Sequence, residues 1–232
     1  MLFRSPDKAP SIAVERPLSN DKVVPSGAFR LKCTVKDDYG LSSLRLLMEL
    51  QDSTRKLEPL PFPVRSGARE ISLNEIIQLE ALALEAGQTI VVRVEAADNR
   101  PEPGVTLSDG IVIRVVREYE LLEDLQAFIT SLKEKLVSVV ELERSLAAGL
   151  NTDARTSRSW LARHRQAVRD LQNAAQDLET IADAFLLNKL GLEESEILSS
   201  MAGVLGAAAG TEGAEISRSE EHTSELQSRQ SI

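Results

Sequence analysis

Five residues carry side chains suited to holding an ion: Asp37, Asp38, Asp98, Asn99 and Asp109, all set among Gly, Pro and other turn-forming residues. Ca²⁺ takes carboxylate and amide oxygens of this kind, about six to eight around one ion. The same residue types also build tight turns. Their side-chain oxygens accept from nearby backbone N–H groups, and a glycine such as Gly40 supplies the positive φ such a turn needs. Two readings therefore stand at this level: a Ca²⁺ ligand set, or Asp38 and Asn99 as turn organisers. No acidic triplet or DxNDN run completes a Ca²⁺ pattern.

Little else in the chain has catalytic spacing. His164 falls on an apolar helical stripe with no serine elbow, catalytic cysteine or metal-ligand spacing beside it, so a packing role is expected. Paired acid and base, nucleophile and phosphate loop are all missing from the sequence pattern, and the expectation is a chain that is not an enzyme and needs no cofactor beyond a possible Ca²⁺. Cys33 is the single cysteine, which rules out an internal disulfide and is expected to be a buried thiol. Arg155, Arg158, Arg163, Arg165 and Arg169 crowd the start of one helical segment, where pairing with Glu134, Glu141 and Glu143 is expected.

The elements that must position these residues follow from composition and periodicity. The 232 residues carry 27 Lys and Arg against 36 Asp and Glu, a net charge of −9. Most of that excess falls after Glu118. Nucleic-acid binding needs clustered surplus Lys and Arg, so this balance argues against it. Hydrophobic residues make up 42% of the chain, enough for a sizeable core, yet no window approaches the length of a membrane span.

Apolar and polar residues alternate in Ile12–Glu15, Phe29–Val35, Leu44–Leu50, Thr89–Ala97 and Gly110–Val116, with fragments at Val64 and Ile71–Leu73. Period-two runs separated by Pro, Gly, Asp and Asn predict about seven strands of a β-sandwich. Phe29, Leu31, Cys33 and Val35 share one face. Asn74–Leu84 has helical spacing and predicts a short helix or an irregular connection, ended by Gly87.

After Arg117 the period changes. Leu122, Leu125, Ile129, Leu132, Leu136, Val139, Leu146 and Leu150 step by three and four, with Glu143 the polar intruder, which predicts a helix over about Glu118 to Ala148. Gly149 and Asn151–Thr152 break it, and Thr152 or Asp153 can cap a second helix bearing Leu161, His164, Val168, Leu171, Ala175, Leu178, Ala182 and Phe185. A short loop between two long helices predicts an antiparallel coiled-coil hairpin. Trp160 is expected to anchor its end or a contact with the strands. Beyond Gly191 a short third helix from Leu192 should give way to a Gly/Ala-rich linker at Gly203–Gly213, either mobile or ordered only against further parts of a longer protein.

The order of strands resembles a bacterial immunoglobulin-like domain. The residues that carry this are Val35, Asp37–Leu41 (DDYGL), Ala96–Asn99 (AADN), Pro103, Gly104 and Ser108–Val115, which look like the ends of strands B and F and then strand G. The Cys…Trp…Cys pattern of antibody domains is absent. That topology implies that the B–C and F–G loops share one end, which would bring Asp37 and Asp38 near Asp98, Asn99 and Asp109, the pole that cadherin-like domains use for Ca²⁺. Arg218–Ser228 (RSEEHTSELQS) and Met1–Ser5 (MLFRS) resemble translated sequencing adapters. The resemblance implies an artefactual start and tail, with His222 of no functional weight, around an internal piece of a longer protein.

The expected plan is then a start at 1–9, the sandwich at 10–117, the hairpin at 118–190, a short helix and linker at 191–217 and the tail at 218–232. An Ig-like domain running straight into a coil is similar to part of large, uncharacterised planctomycete-like envelope proteins. That similarity implies a structural or interaction module, with the sandwich as spacer and the coil as the site of self-association or protein partners. It also implies a place in the cell envelope, on the periplasmic face, with membrane attachment through other parts of the full-length protein. The alternative is a Ca²⁺-binding Ig-like or cadherin-like adhesion domain.

Overall fold

The computed structural model describes residues 8–51, 53, 55, 57–65, 67–148 and 158–230, with backbone only for 158 and 212–230. The fold is mixed β+α, and the chain divides into two compact units: Met1–Leu121 with Leu187–Lys189, and Leu122–Leu186 with Leu190–Ile232. Expectations for Met1–Ser5, the break at 149–152, the caps Thr152 and Asp153, Leu150 and Arg155 lie outside the described residues.

Among the described residues the first unit holds nine strands: β1 (Ser11–Arg16), β2 (Asp21–Val23), β3 (Ala28–Lys36), β4 (Leu41–Leu50), β5 (Leu60–Phe62), β6 (Glu70–Gln78), β7 (Thr89–Asp98), β8 (Val105–Leu107) and β9 (Ile111–Val115). One sheet runs β1-β3-β6; the other runs β2-β9-β7-β4-β5, with β8 also on β7. All pairings are antiparallel except β2 with β9.

Strict alternation sends Phe29, Leu31, Cys33 and Val35 of β3 inward. They meet Leu44, Leu46, Met48 and Leu50 of β4, Ile90, Val92 and Val94 of β7, and Ile113 and Val115 of β9 in one shared core. Each sheet thereby buries one face against the other and leaves one face to solvent.

Three strands have no counterpart in the sequence expectation: β2, β5 and β8, each only three residues long. Such runs are too short to show a period. The helical reading of Asn74–Leu84 is corrected as well. β6 continues to Gln78, paired residue by residue with β3 from Ala28↔Gln78 to Lys36↔Glu70, and only Glu80–Leu82 forms a 3₁₀ turn. Nine consecutive ladder partners outweigh a weak helical spacing. Val64 lies outside any strand, packed against the core.

Leu187–Lys189 also pack in this unit. Asn188 Oδ1 accepts from the buried backbone N–H of Val24 at 2.8 Å, and Lys189 Nζ lies 2.8 Å from Glu80 Oε2. A Cβ on Gly27 would come 2.5 Å from that Asn188 oxygen, so a larger residue there would have to displace the Asn188 side chain from Val24.

Cys33 is 1% exposed, and burial pushes its thiol up to about 11. The thiolate is the reactive form, so alkylation of the native chain at neutral pH should run on the order of a hundredfold slower than in denaturant. Equal rates would show that the inward face of β3 is open.

The second unit is helical: α1 (Glu118–Ala148), α2 (Arg158–Leu187) and α3 (Leu192–Gln230). The first turn of α1, through Leu121, belongs with the strands. On α1 the buried column is Leu125, Leu132, Val139 and Leu146, seven apart, flanked by half-buried Leu122, Ile129, Leu136 and Glu143. On α2 two columns are buried: the expected one through His164, Val168, Ala175, Leu178 and Ala182, and a second through Ala167, Ala174 and Ile181.

α1 and α2 run antiparallel. Glu143 meets His164 at one end while Lys135 meets Asp177 further along. α3 returns along α2, with Ser195 Oγ donating to Ala182 O at 3.0 Å and Ala209 packed on Val168 and Leu171.

The expected linker at Gly203–Gly213 is corrected: α3 is continuous to Gln230. Glycine costs a helix roughly 1 kcal/mol relative to alanine, but it also permits close approach. A Cβ on Gly206 would stand 4.0 Å from that of Ala175, and Ala209 is fully buried. Packing against α2 is the physical reason the helix persists. The helix also includes the backbone of the adapter-like Arg218–Ser228.

Candidate functional site

The loop end of the sheets gathers four of the five expected site residues, Asp37 and Asp38 after β3 and Asp98 and Asn99 at the end of β7. Asp98 closes β7 opposite Leu41, where β4 begins, and has no exposed surface. Its Oδ1 accepts from the backbone N–H groups of Arg100 (3.1 Å) and Gly104 (3.0 Å), and its Oδ2 from Arg100 Nε at 2.6 Å. Ser42 donates its hydroxyl to the Asp98 carbonyl oxygen. Burial alone pushes this carboxyl up. The Arg100 guanidinium and the two backbone donors more than offset it and hold the group below the usual carboxylate value. A Cβ on Gly104 would press on the Arg100 guanidinium and stand 2.7 Å from Asp98 Oδ2, so a side chain there would have to displace the Asp98–Arg100 pair.

Asp37 plays the matching part at the end of β3. Its Oδ2 accepts from Tyr39 N at 3.0 Å and Gly40 N at 2.6 Å. Gly40 has φ +133° and would bring a Cβ within 3.2 Å of both Asn99 Nδ2 and Gly67 Cα. The loops are laced together by Asn99 N to Gly40 O (3.0 Å), Leu41 N to Ala68 O (2.8 Å) and Asp37 N to Arg69 O (2.9 Å).

The turn organisers are therefore Asp37 and Asp98, not the expected Asp38 and Asn99, which are exposed. The signal was present in the alternation. Inward residues of β3 are odd-numbered and lead to Asp37; inward residues of β7 are even-numbered and lead to Asp98. One further step along each strand puts a carboxylate at the rim, where it satisfies the N–H groups of the next turn.

Asp109 does not join them. Ser108 hydrogen-bonds both ways with the backbone of Val94, which sets Asp109 beside the middle of β7 rather than its end. Both Asp98 oxygens accept hydrogen bonds, and the Arg100 guanidinium lies beside them. Among the described residues no three His, Cys, Asp or Glu side chains group as metal ligands. The Oδ1 of Asp37 is buried with no hydrogen-bond partner. Tyr39 is 41% exposed.

Solved structures include one named pT26-6p, which aligns with 88% of this chain at 11% identity and a TM-score of 0.29. The chain spans about half of that protein, 51% of its length. A likeness at that score carries no argument. No family model matches the chain, and no curated protein matches it.

In the helical unit His164 is a packing residue. It is buried, stacks on Trp160 with ring centroids 5.0 Å apart, and has Nδ1 3.0 Å from Glu143 Oε1. Of the acids expected to pair with the arginines, Glu143 meets His164, and Glu134 and Glu141 are exposed on the side of α1 away from its buried column; Arg169 donates to Gln166 at 2.7 Å on its own helix, and Arg155 and the side chain of Arg158 lie outside the described residues. A groove of about 420 Å³ runs between Lys135–Leu142 of α1 and Asp170–Asp177 of α2, on the flank away from α3. Among the described residues no helix is long and apolar enough to cross a membrane.

Proposed function

We propose that this chain is a structural and protein-interaction module of a larger bacterial envelope protein, with an Ig-like β-sandwich as spacer and an antiparallel coiled-coil hairpin as assembly element. The Ig-like part is supported by two sheets that share one core and by the laced loops at Asp37–Gly40 and Asp98–Gly104. The coiled-coil part is supported by the seven-residue column Leu125, Leu132, Val139 and Leu146.

The observation that carries the assembly role is on α3. Ile197, Met201 and Val204 are 60%, 46% and 67% exposed along a stretch, 197–211, that contains no charged residue. A helix face that only met water would carry charge there. Light scattering on the full chain should show a mass above the monomer at high micromolar concentration. A strict monomer with its helices folded would overturn the assembly role.

The envelope location rests on the sequence similarity carried by Asp37–Leu41 and the strand-to-helix order. Sequencing of the chromosomal gene tests it, and a gene encoding neither a membrane anchor nor an export signal would overturn it. The adhesion reading has one observation in its favour, the unpartnered Asp37 Oδ1, and the Arg100 charge on Asp98 against it.

A further inference from the structure

We propose that the outer edge of β6 docks an extended segment of a partner protein, which joins the sheet as one more antiparallel strand and carries a Lys or Arg opposite Glu75. This surface lies on the sandwich and is separate from the self-association of the coil.

Among the described residues β6 has a neighbour on one side only, because its sheet runs β1-β3-β6. At both ends of the β3–β6 ladder it is odd-numbered residues that hold the hydrogen bonds: Leu79 N donates to Gly27 O at 3.0 Å, and Asp37 N to Arg69 O at 2.9 Å. Bonding alternates along an antiparallel pair, so the odd residues of β6 are spent on β3. The N–H and C=O groups of Glu70, Ser72, Asn74, Ile76 and Gln78 therefore point outward. All five residues are exposed.

The other sheet edges are shielded in ways that β6 is not. β1 has six residues, a register shift between Val14 and Arg16, and Pro10 and Pro17 directly beside its ends. β5 is three residues long with Pro61 at its centre, and β2 and β8 are equally short. β6 runs nine residues in unbroken register without Pro, Gly or Lys. A long edge of that kind is a template for a further strand.

The side chains state which strand fits. Ile71 and Leu73 are half-buried against the core and Ile77 is buried, with exposed Glu75 between them in the same odd-numbered row. Among the described residues Glu75 has no ion pair, whereas Glu70 on the same strand meets Lys36 at 3.0 Å. These odd positions face a new antiparallel strand as non-hydrogen-bonded pairs, where side chains approach most closely. The fitting segment thus sets apolar residues opposite Ile71, Leu73 and Ile77 and a base opposite Glu75. A second copy of β6 does not match this pattern. Laid antiparallel along all nine residues, it would put its Leu73 opposite Glu75 and the two Glu75 carboxylates on a diagonal.

A synthetic peptide with blocked ends, Thr-Val-Thr-Arg-Thr-Val-Thr-Val-Thr, sets its Arg opposite Glu75 when it runs from Gln78 to Glu70. Fluorescence anisotropy of the labelled peptide with the full chain should show saturable binding at roughly 0.1–1 mM. Exchanging the peptide's Arg for Glu should weaken binding about tenfold, and Glu75→Arg in the chain should reverse that preference. N-methylation of the fifth peptide residue, whose N–H meets Asn74 O, should abolish binding. N-methylation of the sixth, whose N–H points away from β6, should leave it unchanged. No binding at about 2 mM, or binding indifferent to the methyl on the fifth residue, would overturn the edge as the docking site. Binding that ignores both charge exchanges would overturn the basic partner. The peptide result is independent of whether the coil self-associates.

Discussion

Leu46→Ala should lower the stability of the strand unit by about 3–5 kcal/mol, the range for truncating a fully buried leucine in a core that cannot collapse around the loss. Leu46 sits at the middle of β4, opposite Val94 on β7 and Leu60 on β5, with no exposed surface. Its side chain fills the space between the sheets, and neighbours tied into ladders on both sides have little freedom to close the gap. Because Trp160 lies in the helical unit, its fluorescence does not report on this event. Cys33 does, since its alkylation in increasing denaturant follows the opening of the shared core. A shift below about 1 kcal/mol would mean that this residue is not part of a packed interior.

Asp98→Ala is the second large effect, at about 3 kcal/mol. The substitution strips partners from the Arg100 side chain and from the backbone N–H groups of Arg100 and Gly104 together, and the 98–104 loop loses its centre. Asp98→Asn should recover part of the loss, because an amide oxygen can still accept from the backbone while giving up the ionic partner.

The effect carries a pH signature. The folded carboxyl lies below its ordinary value, so its contribution is present above the unfolded value of about 3.9 and is lost as pH falls through the lower folded value. The stability gap between wild type and Asp98→Ala should therefore be full at neutral pH and shrink under strong acid. A gap that held constant down to about pH 2 would mean that the ionised form is not what the loop holds.

Much of the strand unit is legible in the order of residues. Phe29, Leu31, Cys33 and Val35 alternate with polar partners because one face of β3 meets the core and the other meets water. The same alternation, carried one residue further, points to Asp37 and Asp98 as the carboxylates that turn inward. Reading adjacent Asp38 and Asn99 as the turn organisers missed that step. Asp109 could not be placed from sequence at all. Its position depends on Ser108 pairing with Val94, a contact fixed by how β8 and β9 divide the length of β7 between them.

The helices show the same division. The leucines of α1 announce a buried column by their spacing. On α2 the second buried column is Ala167, Ala174 and Ile181, and alanine serves equally well on a solvated helix face, so nothing local marks it as covered.

The sequence by itself determined where the chain changes from alternating strands to helical stripes, because side-chain period is a local consequence of backbone geometry. Only the tertiary structure decided that Gly203–Gly213 remain helical, that β6 extends through Asn74–Gln78, and which carboxylates are spent within the protein. Each of those outcomes turns on a partner distant in sequence: Ala175 and Val168 for α3, β3 for β6, and Arg100 with the Gly104 loop for Asp98. Close packing and buried hydrogen bonds are satisfied in three dimensions, and local preference yields to them wherever the two disagree.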